Sequence, residues 1–131
     1  MNKRLQGLQG EDKARDYLRS KGITNLQQLD WIIKKDGRYT IIEVKYKELF
    51  KPPPFAGAGL DISQVKLRTQ LYKELGLDTL LIVFETGTDN VYYQLLSKLE
   101  QTDYFDTKNK IRIYDIKNFR KDKTNATPKI L

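Results

Sequence analysis

The stretch Leu29-Asp30-Trp31-Ile32-Ile33-Lys34-Lys35-Asp36-Gly37-Arg38-Tyr39-Thr40-Ile41-Ile42-Glu43-Val44-Lys45 decides the fold, because two apolar runs of strand character flank Asp36-Gly37. Asp-Gly between such runs is the strongest short hairpin signal, since the favoured two-residue turn needs positive φ at both positions. With Asp36 and Gly37 as the loop, Lys35 pairs with Arg38. Each step outward keeps the same register, which brings Asp30 opposite Glu43. Opposed side chains of an antiparallel pair have Cβ atoms roughly 4.5–5.5 Å apart, and like charges there are destabilising. A positive charge is therefore expected between the two acids. Strand alternation puts Lys45 on the same face as both. The alternation also makes both faces of the hairpin fairly apolar, with Trp31 and Ile33 on one side and Ile32 and Ile41 on the other. This predicts a central hairpin in a sheet covered on each side.

Working outward, Leu5, Leu8, Ala14 and Leu18 are spaced for one face of a helix that Gly22 would end. Glu11 lies on that face. A carboxylate inside an apolar stripe is costly unless paired, although an acid near a helix start is also favoured by the helix dipole. After the hairpin, Glu48 to Leu60 contains Pro52-Pro53-Pro54 and Gly57-Ala58-Gly59, which predicts a loop, read either as a connector or as a semi-rigid flap beside the substrate. Asp61 or Ser63 can cap a second helix running to about Leu75, with Gly76 as a left-handed stop. Gln64 begins an inward-leaning stripe on it. Thr79 to Phe84 is a continuous apolar run of strand length, expected as a buried strand entered by a crossover helix. Val91 to Leu95 reads as a further strand and Ile111 to Tyr114 as a short, edge-like one. The fold class is then α/β, a central mixed β-sheet flanked by helices.

At 131 residues the chain is one domain by size, taken as 1–119, with 120–131 as a basic, flexible tail that carries Lys121, Lys123 and Lys129 and has little to bury. There is no cysteine and no histidine. Disulfides, thiol nucleophiles, imidazole bases and soft metal sites are thereby excluded. What remains for catalysis is carboxylate, lysine, hydroxyl and a hard, oxygen-ligated ion such as Mg²⁺ or Mn²⁺. The net charge of +7 fits nucleic acid, an anionic membrane or a plain basic surface. No apolar run reaches the ~20 residues of a membrane span, and Met1-Asn2-Lys3-Arg4 leads into no signal-peptide core, so a soluble cytoplasmic protein is expected.

Hydrolysis of a phosphodiester requires a nucleophilic water and stabilised charge on the phosphoryl and leaving oxygens, both of which a divalent ion supplies. Asp30, Glu43 and the carbonyl of Val44 offer hard oxygens at one point, Lys45 can orient water or neutralise developing charge, and Glu11 can approach from the first helix. The same residues also admit a plain ion network bridged by Lys45. Those two readings stay open on the hairpin alone.

The order Gly10-Glu11 on a first helix, Asp30 on the first hairpin strand, Ile41-Ile42-Glu43-Val44-Lys45 on the second and Gln64 on a following helix resembles the PD-(D/E)XK nuclease superfamily, with its restriction-endonuclease-like core. Within it the similarity is to archaeal-type and phage-type Holliday junction resolvases, small basic dimeric proteins. The resemblance covers roughly Leu8 to Glu85 and departs at Leu29, where proline is usual, and in the length of the proline-rich segment. It implies Asp30 and Glu43 as metal ligands with Val44, Lys45 as the catalytic lysine, Glu11 as an auxiliary acid, and Gln64 as a polar group near the metal. Mg²⁺ or Mn²⁺ would be the cofactor, and branched DNA the substrate of a homodimer, with Lys47, Lys51, Lys66 and Arg68 attracting phosphate. A restriction-type or general DNA nuclease of the same fold is the alternative enzyme. A non-catalytic nucleic-acid-binding module is the alternative outside enzymes.

Overall fold

The computed structural model describes residues 3–22 and 31–124, residues 3–11 as helical backbone only. Its first helix, α1, is Lys3–Ser20, ending at Gly22 with φ 83°. The hairpin strands are β1, Trp31–Lys35, and β2, Arg38–Lys47. Asp36 and Gly37 join them with φ of 53° and 76°, the positive values that the two-residue turn demands. The register is the expected one: Lys35 pairs with Arg38, Ile33 with Thr40 and Trp31 with Ile42.

Strand β4, Asp78–Glu85, lies parallel to β2 on its other side, with Glu43 beside Leu81 and Lys45 beside Val83. A parallel neighbour demands a crossover, and α2, Ile62–Leu75, provides it. Asp61 occupies the position before α2 without a side-chain cap hydrogen bond, and Gly76 closes the helix at φ 67°. Then β5, Asn90–Leu95, and β8, Arg120–Lys123, complete a mixed five-stranded sheet of order β1-β2-β4-β5-β8. The protein is α/β. Among the described residues no helix is long and apolar enough to cross a membrane.

Four expectations change. The hairpin is central only through β2; among the described residues β1 lies at the edge of the sheet, with Trp31 65% and Ile32 49% exposed. Apolar residues on both faces do not by themselves require burial on both, because much of any folded surface is apolar. The proline-rich stretch is a loop only as far as Ala56: Gly57–Asp61 is a strand, β3, and a bridge between Phe50 and Gly57 closes the base of the loop. Ile111–Asp115, β7, is not an edge but the middle of a second sheet of order β3-β7-β6, where β6 is Tyr104–Asp106. Finally, Arg120–Lys123 pairs with β5 as β8, so the first residues of the basic tail are strand; 125–131 lie outside the described residues.

The main core lies between the five-stranded sheet and the layer formed by α2, the second sheet and α3, Leu96–Leu99. Leu81 and Val83 of β4 meet Ala58, Leu60, Val65, Leu96, Leu99 and Tyr114 there. A smaller cluster of Ile42, Leu80 and Tyr93 occupies the opposite sheet face, together with Val44. Tyr114 is completely buried and donates its hydroxyl to Glu100 Oε2 at 2.7 Å. The other Glu100 oxygen accepts from Arg112 at 2.7 Å, and Arg112 also grips both oxygens of Asp106. Tyr104 stacks on that guanidinium at 3.9 Å, so one network ties β6, β7 and the residue after α3.

Burial and the bond to Glu100 hold the Tyr114 phenol well above the usual tyrosine value of about 10. A raised folded-state value means that stability from this group is intact below pH ~10 and is lost as pH climbs beyond it, where only the unfolded chain releases the proton. Tyr114→Phe is expected to cost about 1–2 kcal/mol at neutral pH through the orphaned Glu100 oxygen. It should also flatten the decline between pH 9 and 11, read as urea midpoints of the two proteins.

Candidate active site

Glu43 stands on the face of β2 that turns towards α2, and it is 6% exposed. Burial of a carboxylate requires compensation. It comes from two cations, one on each oxygen. Lys45 Nζ lies 3.4 Å from Oε1, and an Arg68 Nη2 hydrogen bond reaches Oε2 at 3.2 Å. Lys45 reaches Glu43 because alternate residues of a strand share a face. Arg68 arrives from α2, where Val65 and Arg68 are the buried positions.

This placement corrects the role expected of Arg68. It is 5% exposed and folded inward against Glu43, whereas Lys47, Lys51 and Lys66 are exposed. An arginine reads as a surface charge in sequence, but its place three residues after Val65 and four after Gln64 puts it on the inward stripe. A buried acid on the neighbouring strand then gives its guanidinium a partner.

Gln64, one turn before Arg68 on that helix face, has a buried Oε1 without a hydrogen-bond partner among the described residues. Such an orphan in a folded protein asks for an explanation, and an unseen ion is among the standard ones. The Val44 side chain lies on the other sheet face, in the cluster of Ile42 and Leu80, so only its backbone can serve the site. Asp30, the position beyond the Trp31–Ile42 pair, lies outside the described residues, as does the Glu11 side chain, although the Glu11 backbone is part of α1. Among the described residues, no three acids gather as a metal cluster.

The Glu43 carboxylate on β2 and the Gln64 amide oxygen on α2 are both hard oxygens and fit Mg²⁺ or Mn²⁺ in kind. Chemically, the arrangement delivers one buried carboxylate with a lysine ammonium at its side. The ammonium is the more accessible partner, its side chain 23% exposed, on a residue two before the end of β2.

No protein-family model matches the sequence, and neither does any curated protein. Among solved structures the chain is similar to Hjc, a Holliday junction resolvase from the archaeal hyperthermophile Archaeoglobus fulgidus. The two are 13% identical with a TM-score of 0.45, over 83% of this chain and 88% of the other.

Proposed function

We propose that the protein is a metal-dependent DNA endonuclease whose preferred substrate is a branched duplex such as a four-way junction. The observation that carries this reading is the Glu43–Lys45 pair, a buried carboxylate and a half-sheltered ammonium 3.4 Å apart on one strand face. Supporting it, the hairpin register holds from Lys35–Arg38 to Trp31–Ile42, the frame in which Asp30 is expected opposite Glu43.

In this reading Glu43 and Asp30 hold a divalent ion, Mg²⁺ or Mn²⁺, with the Val44 carbonyl and Gln64 at its margin and Glu11 as an outer acid. When bound, the ion would supply a water acidic enough to act as nucleophile near neutral pH. Lys45 orients the attacking group and offsets charge that develops on the phosphoryl oxygens, an electrostatic task for a group already in position. Lys47, Lys51 and Lys66 bring in the phosphate backbone, which makes binding strongly salt-dependent. Resolution of a junction needs two such sites at fixed spacing, and a symmetric dimer would provide them.

The test is cleavage of a four-way junction beside a linear duplex of the same sequence, with Mg²⁺ and with EDTA. Symmetric nicks at the branch, dependent on the ion, are the expected result. Equal cutting of both substrates would favour a general nuclease. Binding without cleavage under any divalent ion would favour the non-catalytic module, in which Glu43, Lys45 and Arg68 are a structural network.

A further inference from the structure

Glu43 already has a full complement of positive charge from the protein, and the two cations that provide it are not equivalent. Lys45 sits on Oε1 with its side chain 23% exposed, at the end of a flexible stem that can shift aside without leaving the site. Arg68 sits on Oε2 with its side chain 5% exposed, on the inward stripe of α2 beside Val65, and has further interactions of its own. A cation that approaches Glu43 can displace Lys45 from Oε1. It cannot displace Arg68 without pulling a buried guanidinium out of the helix–sheet interface.

We propose that Arg68 is a built-in counter-cation: it keeps buried Glu43 compensated in the metal-free protein, and its charge opposes the divalent ion that Glu43 receives at Oε1. The proposal rests on the metal-dependent reading above and makes Arg68 a positioning residue rather than a catalytic one. It explains why a basic residue is buried where a phosphate contact was expected.

The size of the effect follows from charge alone. A divalent ion within ~6 Å of a fixed positive charge is disfavoured by about a factor of ten even at the dielectric of bulk water, and by more in a sheltered site. Arg68 also borders a cavity of about 180 Å³ with Tyr72, Asp78 and Leu96, so an apolar chain of similar length has room there.

The experiment is Mn²⁺ titration of the full chain followed by the EPR signal of free Mn²⁺, for wild type, Arg68→Met and Arg68→Lys, with circular dichroism as the check on folding. Arg68→Met is expected to bind Mn²⁺ about tenfold more tightly, and Arg68→Lys, which keeps the charge, to stay within about threefold of wild type. An Arg68→Met protein that is unfolded alone and folds when Mn²⁺ is added supports the proposal equally, because the ion then replaces the lost charge. Affinity in Arg68→Met that is unchanged or weaker overturns it, as does a variant unfolded with and without the ion, or Arg68→Lys shifting as far as Arg68→Met. Wild type that takes up no Mn²⁺ defeats the metal-dependent reading itself, whereas wild type that binds while Arg68→Met binds no better defeats only the role given to Arg68.

Discussion

Glu43→Gln is expected to lower DNA cleavage on the order of 10³-fold or more while duplex and junction binding stay within a few-fold of wild type. The substitution keeps the shape of the side chain and an acceptor oxygen, but removes the charge that both Lys45 and Arg68 approach. Binding should survive because the exposed Lys47, Lys51 and Lys66, which the reading assigns to phosphate, are untouched. Stability should fall by about 1–3 kcal/mol, since Arg68, 5% exposed, would then face a neutral amide in place of a carboxylate. Single-turnover cleavage, equilibrium binding at two salt concentrations and a melting curve separate these effects. Cleavage at the wild-type rate would remove Glu43 from the chemistry. Loss of binding in proportion to loss of cleavage would make it a structural residue.

What could be read in advance was set by local chemistry. Asp36-Gly37 permits one tight turn, and once the turn is placed the register of β1 on β2 follows residue by residue. The apolar run at 79–84 and the glycine stop at Gly76 were legible for the same reason, one through burial and the other through backbone conformation. The partner of Glu43 was not. Arg68 lies 25 residues away, and although helical spacing puts it on the inward stripe with Gln64 and Val65, no local rule says which strand carboxylate it will meet. β3 was hidden because Gly57 and Gly59 read as breakers of a strand, when here they are the condition for one. With β3 unseen, β7 lost its neighbour and looked like an edge. Asp30 and the Glu11 side chain, two of the three expected acids, lie outside the described residues.

Gly59→Ala is expected to be the most damaging of the small substitutions, at more than about 4 kcal/mol. Gly59 pairs with Ile113 of β7, and a Cβ placed on it would run into the backbone carbonyl of Arg112. A flexible side-chain tip could move aside, but a carbonyl held in a strand can retreat only if β3 and β7 part. Parting them opens the core around Ala58, Leu60 and Tyr114, which are at most 6% exposed. Gly57→Ala meets the Tyr114 carbonyl in the same way and should behave alike. Gly76→Ala makes the contrast: nothing lies within 4 Å of the added carbon, and only its φ of 67° is unfavourable, so the cost should be about 1–2 kcal/mol. The damage at Gly59 should also reach the site. β3 runs straight into α2 at Asp61–Ile62, so a displaced β3 carries Arg68 away from Glu43 and leaves that carboxylate with Lys45 as its remaining described cation. Urea denaturation ranks the three glycine variants, and Mn²⁺ affinity measured on whatever Gly59→Ala remains folded reports on the site. A Gly59→Ala protein as stable as Gly76→Ala would mean that β3 and β7 do not approach as closely as the second sheet requires.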